Sequence, residues 1–123
     1  MSLTERLIGS PDIPRASGID ADTVFSVLSA SRRRIVIRYV AGISGGQEIE
    51  LGELAEVVAI DEYGPRFDSS QRKSAYIGLY QVHMDSLVGA GVVRDVGRNV
   101  YQKGPNADAL AHAADAVFEV AQG

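Results

Sequence analysis

Tyr76, Tyr80, His83, Met84 and Leu87 recur at steps of three and four residues, a spacing that puts them on one face of a helix. That helix is predicted from about Ser70 to Ala90. Ser69 and Ser70 are good N-caps for it. Gly91 closes it by taking a left-handed backbone conformation at no steric cost. Beyond Gly91 the period drops from 3.6 to two: Val92, Arg94 and Val96 point one way, Val93 and Asp95 the other. A second short strand, Asn99 to Lys103, follows a turn at Gly97-Arg98 or Arg98-Asn99, and Asn99 tolerates positive φ.

Upstream, Asp20 or Asp22 caps a short helix carrying Val24, Phe25, Val27 and Leu28. Ser29 to Ser31 breaks it, and Ser31 caps a second helix, Arg32 to Ala41, with Ile35, Val36, Tyr39 and Val40 spaced for a core. Gly42 to Gly46 is a glycine-rich turn. Glu48 to Leu51 alternates as a short strand, and Glu53 to Ile60 is a helix with Leu54, Val57 and Val58 inward. The linker from Asp61 to Asp68 folds Tyr63 and Phe67 back onto the core. At the far end, Asn106 is an N-cap candidate, and Ala107, Leu110, Ala111, Ala114, Val117, Phe118 and Ala121 form an apolar stripe opposite a polar face. A long helix feeding a two-stranded hairpin is the order of a recognition helix and wing in a winged helix-turn-helix. The expected class is mainly α with a small β-hairpin wing (α+β), followed by a C-terminal helix. The expected organisation is an arm or linker over 1–19, a winged-helix domain over 20–104 and a C-terminal helix over 105–123. That last helix either covers the core or pairs with its copy. Leu110, Ala114, Val117 and Phe118 are the candidate dimer contacts.

With 123 residues and 46% hydrophobic content, one domain with one core is expected. No apolar run approaches the ~20 residues that span a bilayer, and the N-terminus lacks a basic-then-apolar leader pattern, so a cytoplasmic protein without membrane contact is expected. The absence of cysteine removes disulfides, thiolate metal sites and cysteine nucleophiles. The net charge of −4 has the wrong sign for a simple nucleic-acid binder, but its distribution is uneven. Residues 1–65 hold ten acids and six bases, residues 66–103 six bases and three acids, and residues 104–123 three acids and no base. The helix and hairpin are thus the basic part of the chain. Ten of the twelve bases are arginine; with the many Ala, Val, Gly and Asp residues this composition suggests a GC-rich genome and is compatible with a high-salt cytoplasm.

The chemistry-bearing residues fall into a few groups. The Gly42–Gly46 turn is not a phosphate loop, because no Gly-Lys-Ser/Thr follows it. Glu48, Glu50, Glu53 and Glu56 lack a partner histidine and read as a solvated acidic face. His83 reads as a hydrogen-bonded packing residue, and His112 with Asp108 and Asp115 as a solvated helix face. Arg32, Arg33, Arg34 and Arg38 read as a solvated helix face pairing with nearby acids, with contact to a DNA backbone as the other reading. No nucleophile–base pair, metal motif or cofactor motif appears, so no enzyme, metal site or cofactor is expected. The long helix presents Ser74, Gly78, Gln81, Val82 and Asp85 opposite its apolar face. Gln81 can pair with adenine and Ser74 with bases or phosphate, while Gly78 admits a close backbone approach. Arg66, Arg72 and Lys73 lie at or before the first turn, where phosphate contacts are natural, and Arg94, Arg98 and Lys103 lie on or beside the wing.

Leu28 to Val36 (LSASRRRIV), Glu50 to Glu56 (ELGELAE), His83 to Val93 (HMDSLVGAGVV) and Gly97 to Tyr101 (GRNVY) together resemble the arsenical-repressor-like winged-helix family. More closely, the arginine run, the long spacer and the Gln-Arg-Lys…Tyr-Gln-x-His block resemble an uncharacterised winged-helix domain family of halophilic archaea. The resemblance covers about residues 22–103. It implies a winged helix; the metal-sensing cysteines of the first family are absent here, so that sensory role does not carry over. The expected function is a homodimeric regulator of transcription that binds double-stranded DNA. The alternative is a winged-helix module that uses the same surface for a protein partner.

Overall fold

The computed structural model describes residues 19–122. The elements are α1 (Ala21–Leu28), α2 (Ser31–Ala41), β1 (Glu48–Glu50), α3 (Leu51–Tyr63), α4 (Ser69–Gly78), a π-helical turn (Leu79–His83), α5 (Met84–Gly89), β2 (Val93–Gly97), β3 (Val100–Lys103) and α6 (Ala107–Gln122). The architecture is mainly α-helical with a small three-stranded antiparallel sheet, the winged-helix-like α+β class that the pattern predicts. Of the expected arm over 1–19, only Ile19 is among the described residues. No helix among them is long and apolar enough to cross a membrane.

Local chemistry sets the helix ends. Asp20 caps α1, its Oδ1 accepting from the Thr23 amide at 2.8 Å. Asp68, rather than Ser69 or Ser70, caps α4. Its carboxylate accepts from the Gln71 amide at 2.8 Å and the Gln71 side chain accepts from the Asp68 amide at 2.9 Å, a reciprocal capping box. Ser31 does not cap α2; Ala30 holds that position without a side-chain bond.

The arginine run closes the opposite end of α1. Arg33 donates to the carbonyls of Val27 and Ser26, both at 3.0 Å, and Arg34 to that of Leu28 at 2.6 Å. The last carbonyls of a helix lack intrahelical donors and carry partial negative charge, so two guanidiniums satisfy them at once. Arg38 pairs with Asp115 at 3.1 Å. Arg33 and Arg34 thus fasten helix carbonyls rather than acids on a solvated face, while the exposed Arg38 pairs with an acid as expected.

Strand order in the sheet is β1-β3-β2, with Ile49 opposite Tyr101 and Arg94 opposite Gln102. The wing turns on Arg98 and Asn99, with φ of 58° and 60°. Two consecutive positive φ values give the turn whose twist matches paired strands. A register shift between Asp95 and Gly97 precedes it.

The core gathers Val24, Val27 and Leu28 of α1, Val36, Ile37 and Val40 of α2, Leu54, Ala55 and Val58 of α3, and Leu79, Met84 and Leu87 of the long helix. Phe25 of α1 is 39% exposed; Tyr63, expected to fold back onto the core from a linker, instead ends α3 and is exposed, while Phe67 packs partly buried, as expected. Ile37, not singled out from the pattern, is fully buried. The Tyr39 hydroxyl donates to the Glu53 carboxylate and fastens α2 to α3. That bond, with burial, pushes the phenol pKa up to about 12.

α6 belongs to this core. Ala107, Leu110, Ala113 and Ala114 are buried within the chain, and the helix packs against α1 and α2. Two of the expected dimer contacts, Leu110 and Ala114, are thus covered by the protomer itself, because alanines on both sides of Leu110 let the helix sit close to α2. Val117 is partly buried against the same core; the side chain of Phe118 lies outside the described residues.

Candidate nucleic-acid interface

The expected long helix runs from Ser69 to Gly89 but changes its winding at Leu79–His83. The π turn inserts one extra residue, so the buried positions run Ala75, Leu79, Met84 and Leu87, with a step of five between Leu79 and Met84. Tyr80, expected on the apolar face, is 59% exposed. Ile77, Val82 and Val88 are exposed with it, beside Lys73, Ser74, Gln81 and Asp85.

The wing tip leans on the middle of α4. Asn99 Nδ2 donates to the Tyr76 hydroxyl at 3.4 Å. Tyr76, Arg98, Asn99, Val100 and the first residues of α3 line a small notch of about 190 Å³. Between helix and wing, Tyr101 is buried, and its phenol pKa is raised by burial first, then by Asp95, Asp85, Tyr76 and Tyr80.

The predicted contact residues divide sharply. Arg66, Lys73 and Arg98 are exposed and have no hydrogen bond or ion pair among the described residues. Ser74 and Gln81 are exposed on the helix, and the Ser74 carbonyl accepts from Arg32 at 3.5 Å. Arg94 is exposed on β2 and donates to Gln102 Oε1 at 3.0 Å. Arg72 is held by Glu56 at 3.2 Å and by the Gly52 carbonyl at 3.4 Å, so reaching a phosphate means leaving both. Lys103 is not available: its ammonium donates to the Ala41 carbonyl at 2.9 Å and pairs with Asp108 at 3.0 Å. A lysine at the end of β3 meets the C-terminal carbonyls of α2 because sheet and helix converge there, a contact across 62 residues of sequence.

Gly78 is not open to an incoming backbone either. A Cβ there would overlap the Arg32 guanidinium, which lies across the helix and pairs with both Glu62 oxygens at 2.8 Å. That bidentate bond is the first cause of the raised Arg32 pKa. Asp108 and Asp115, read with His112 as a solvated face, are each engaged by a base, Lys103 and Arg38. No group of three or more metal-ligating side chains gathers among the described residues.

This arrangement makes Arg32 and Gly78 energetically coupled. Arg32→Ala is expected to cost about 1.5–3 kcal/mol, the range for a hydrogen-bonded charged group. Gly78→Ala alone displaces the guanidinium and is destabilising. In an Arg32→Ala background it becomes stabilising by about 0.8–1 kcal/mol, since alanine is the better helix former. Urea unfolding of the four proteins measures the coupling; additive effects would show that the guanidinium does not need the bare glycine.

His83 sits at the end of the π turn, half-buried, with Arg33 Nη1 2.9 Å from its Nδ1. It is a hydrogen-bonded packing histidine, as its position in the pattern predicts. What sequence reading missed is Arg33 as its partner; the two are 50 residues apart.

Among curated proteins and among solved structures, none matches the chain. A family model described as a domain of unknown function, DUF7344, matches residues 25–99, from α1 through the wing turn. The match covers more than half of the sequence, and the chain belongs to that family.

Proposed function

We propose that this protein is a cytoplasmic, non-enzymatic winged-helix regulator that binds double-stranded DNA as a homodimer. One observation carries the reading. Among the described residues most bases are fastened internally, yet Arg66, Lys73 and Arg98 are left free around the exposed face of α4 and the wing tip. Cations without internal partners are the ones that can replace condensed counterions on a phosphate backbone. Ser74 and Gln81, exposed on the same long helix, are the groups able to address base edges. A dimer uses surface other than Leu110 and Ala114; Val120 of α6 is exposed.

Salt titration of binding tests this reading. Arg98→Ala and Lys73→Ala each weaken binding to all sequences and flatten the slope of log affinity against log salt by about one unit. Gln81→Ala costs about 1–3 kcal/mol on a selected site and little on random DNA. Lys103→Ala leaves the slope unchanged. Absence of binding from low to high salt, or a slope blind to Arg98 and Lys73, overturns the proposal.

The exposed Ile77, Tyr80, Val82 and Val88, with Asp85 beside them, favour a second reading, a protein partner on the same helix. Tyr80→Ala discriminates: it abolishes capture of a partner but leaves the salt slope on DNA intact.

A further inference from the structure

We propose that the hydrogen bond from Arg33 to His83 is an acid-sensitive latch on the π turn, closed when the imidazole is neutral and released when it takes a proton. The argument starts from the donor inventory. A guanidinium has donors only, so the 2.9 Å contact from Arg33 Nη1 requires His83 Nδ1 to accept. The proton of the neutral ring is then on Nε2. Protonation puts a hydrogen on Nδ1 as well, and the bond becomes a contact between two donors and two positive charges.

Arg33 does not retreat easily, because the same guanidinium serves the carbonyls of Ser26 and Val27 and the Ser29 hydroxyl. The imidazole is the partner free to move. Besides its flanking helices α4 and α5, the π turn packs against α2 and α3. From α2, Arg33 and Arg32 face the ring; from α3, Glu62 does, and it alone favours the charged form. Burial first, then Arg33 and Arg32, hold the His83 pKa below its ordinary value of 6.5. The charged ring thus leaves α2 and turns toward Glu62 or solvent.

The consequence falls on the surface described above. A π turn is rare and occurs as a single-turn insertion inside an α-helix, often at a functional site. His83 ends that turn, and Tyr80, Gln81 and Val82 are its exposed residues. Opening the latch loosens these residues while α3 keeps its own contacts. The inference is independent of whether the face binds DNA or protein.

Nitrogen NMR of the full-length chain tests it, with His112→Gln used to leave a single imidazole, since the sequence has two histidines. At pH 8 Nδ1 is expected to be bare and Nε2 protonated, and the titration midpoint lies below 6.5. Through that midpoint, amide protection over residues 79–84 falls about tenfold, the scale of one charge-assisted bond, while α3 is unchanged. In His83→Asn, whose carbonyl oxygen still accepts from Arg33 but does not titrate, protection is the same at both pH values. An Nδ1-protonated ring at pH 8, protection over residues 79–84 that ignores the titration, or a pH response that survives His83→Asn overturns the latch. The wild-type measurements decide the matter if the variant does not fold.

Discussion

Leu110→Asp unfolds the domain. Leu110 is 1% exposed and packed with the core side chains of the chain. Removing that apolar side chain forfeits burial worth about 1.5–3 kcal/mol. The aspartate then stands unpaired where Leu110 contacted hydrocarbon, which adds several kcal/mol more even after relaxation. A domain of this kind has about 5–15 kcal/mol in total, so the sum takes most or all of it. Leu110→Ala, a cavity without a charge, costs about 2–5 kcal/mol and still folds. Val120→Asp, at a position 66% exposed on the same helix, stays within about 0.5 kcal/mol. Circular dichroism against urea ranks the three. A folded, monomeric Leu110→Asp protein would instead mean that this residue serves an interface between chains, as the apolar stripe alone suggests.

That contrast shows what the linear pattern carries. The stripe on α6 is legible because its period is regular, but the identity of the covering surface is a tertiary fact. The same holds for the bases. Their concentration between residues 66 and 103 is visible in sequence, whereas the engagement of Lys103 and Arg72 depends on Ala41, Asp108, Glu56 and Gly52, which only the fold brings near. Gly78 and Arg32, 46 positions apart by number, could not be matched in advance. The π turn is a different case. The five-residue step from Leu79 to Met84 was present in the sequence, but a uniform helical period gives weight to Tyr76 and Tyr80 and so turns the face toward the wrong side. Large tyrosines at helical spacing looked like core; here Tyr80 is exposed and Tyr76 only half-buried, with its hydroxyl accepting from the wing.

Gly104→Ala is expected to destabilise the fold by at least about 3 kcal/mol, beyond ordinary overpacking. The reason is not backbone freedom but space. Gly104 joins β3 to α6 and is buried where the chain passes the end of α5. Its amide donates to the Val92 carbonyl at 2.7 Å, and the Asn106 amide donates to the Gly91 carbonyl at 2.9 Å. A Cβ at Gly104 would overlap the Gly91 carbonyl oxygen and come within 2.8 Å of the Gly91 carbonyl carbon and 2.9 Å of that of Val92. These obstacles are backbone atoms, and Gly91 itself is pinned at φ +78° with the Asn106 side chain against it. Asn106, in turn, donates to the Ala90 carbonyl at 3.1 Å, closing α5. Relief therefore means parting the β3–α6 junction from the α5–β2 junction, which also disturbs Lys103 on Ala41 and Asp108. Gly78→Ala meets only the tip of a flexible arginine and is milder. Gly45→Ala, where no atom lies within 4 Å of the added carbon, is neutral or gains about 0.4–1 kcal/mol by restricting the unfolded chain. Thermal unfolding of the three variants gives the order Gly104, Gly78, Gly45 in decreasing loss. A Gly104→Ala protein as stable as the parent would show that the junction of wing and α6 has room to part, and that α6 is held less firmly to the domain than its buried alanines indicate.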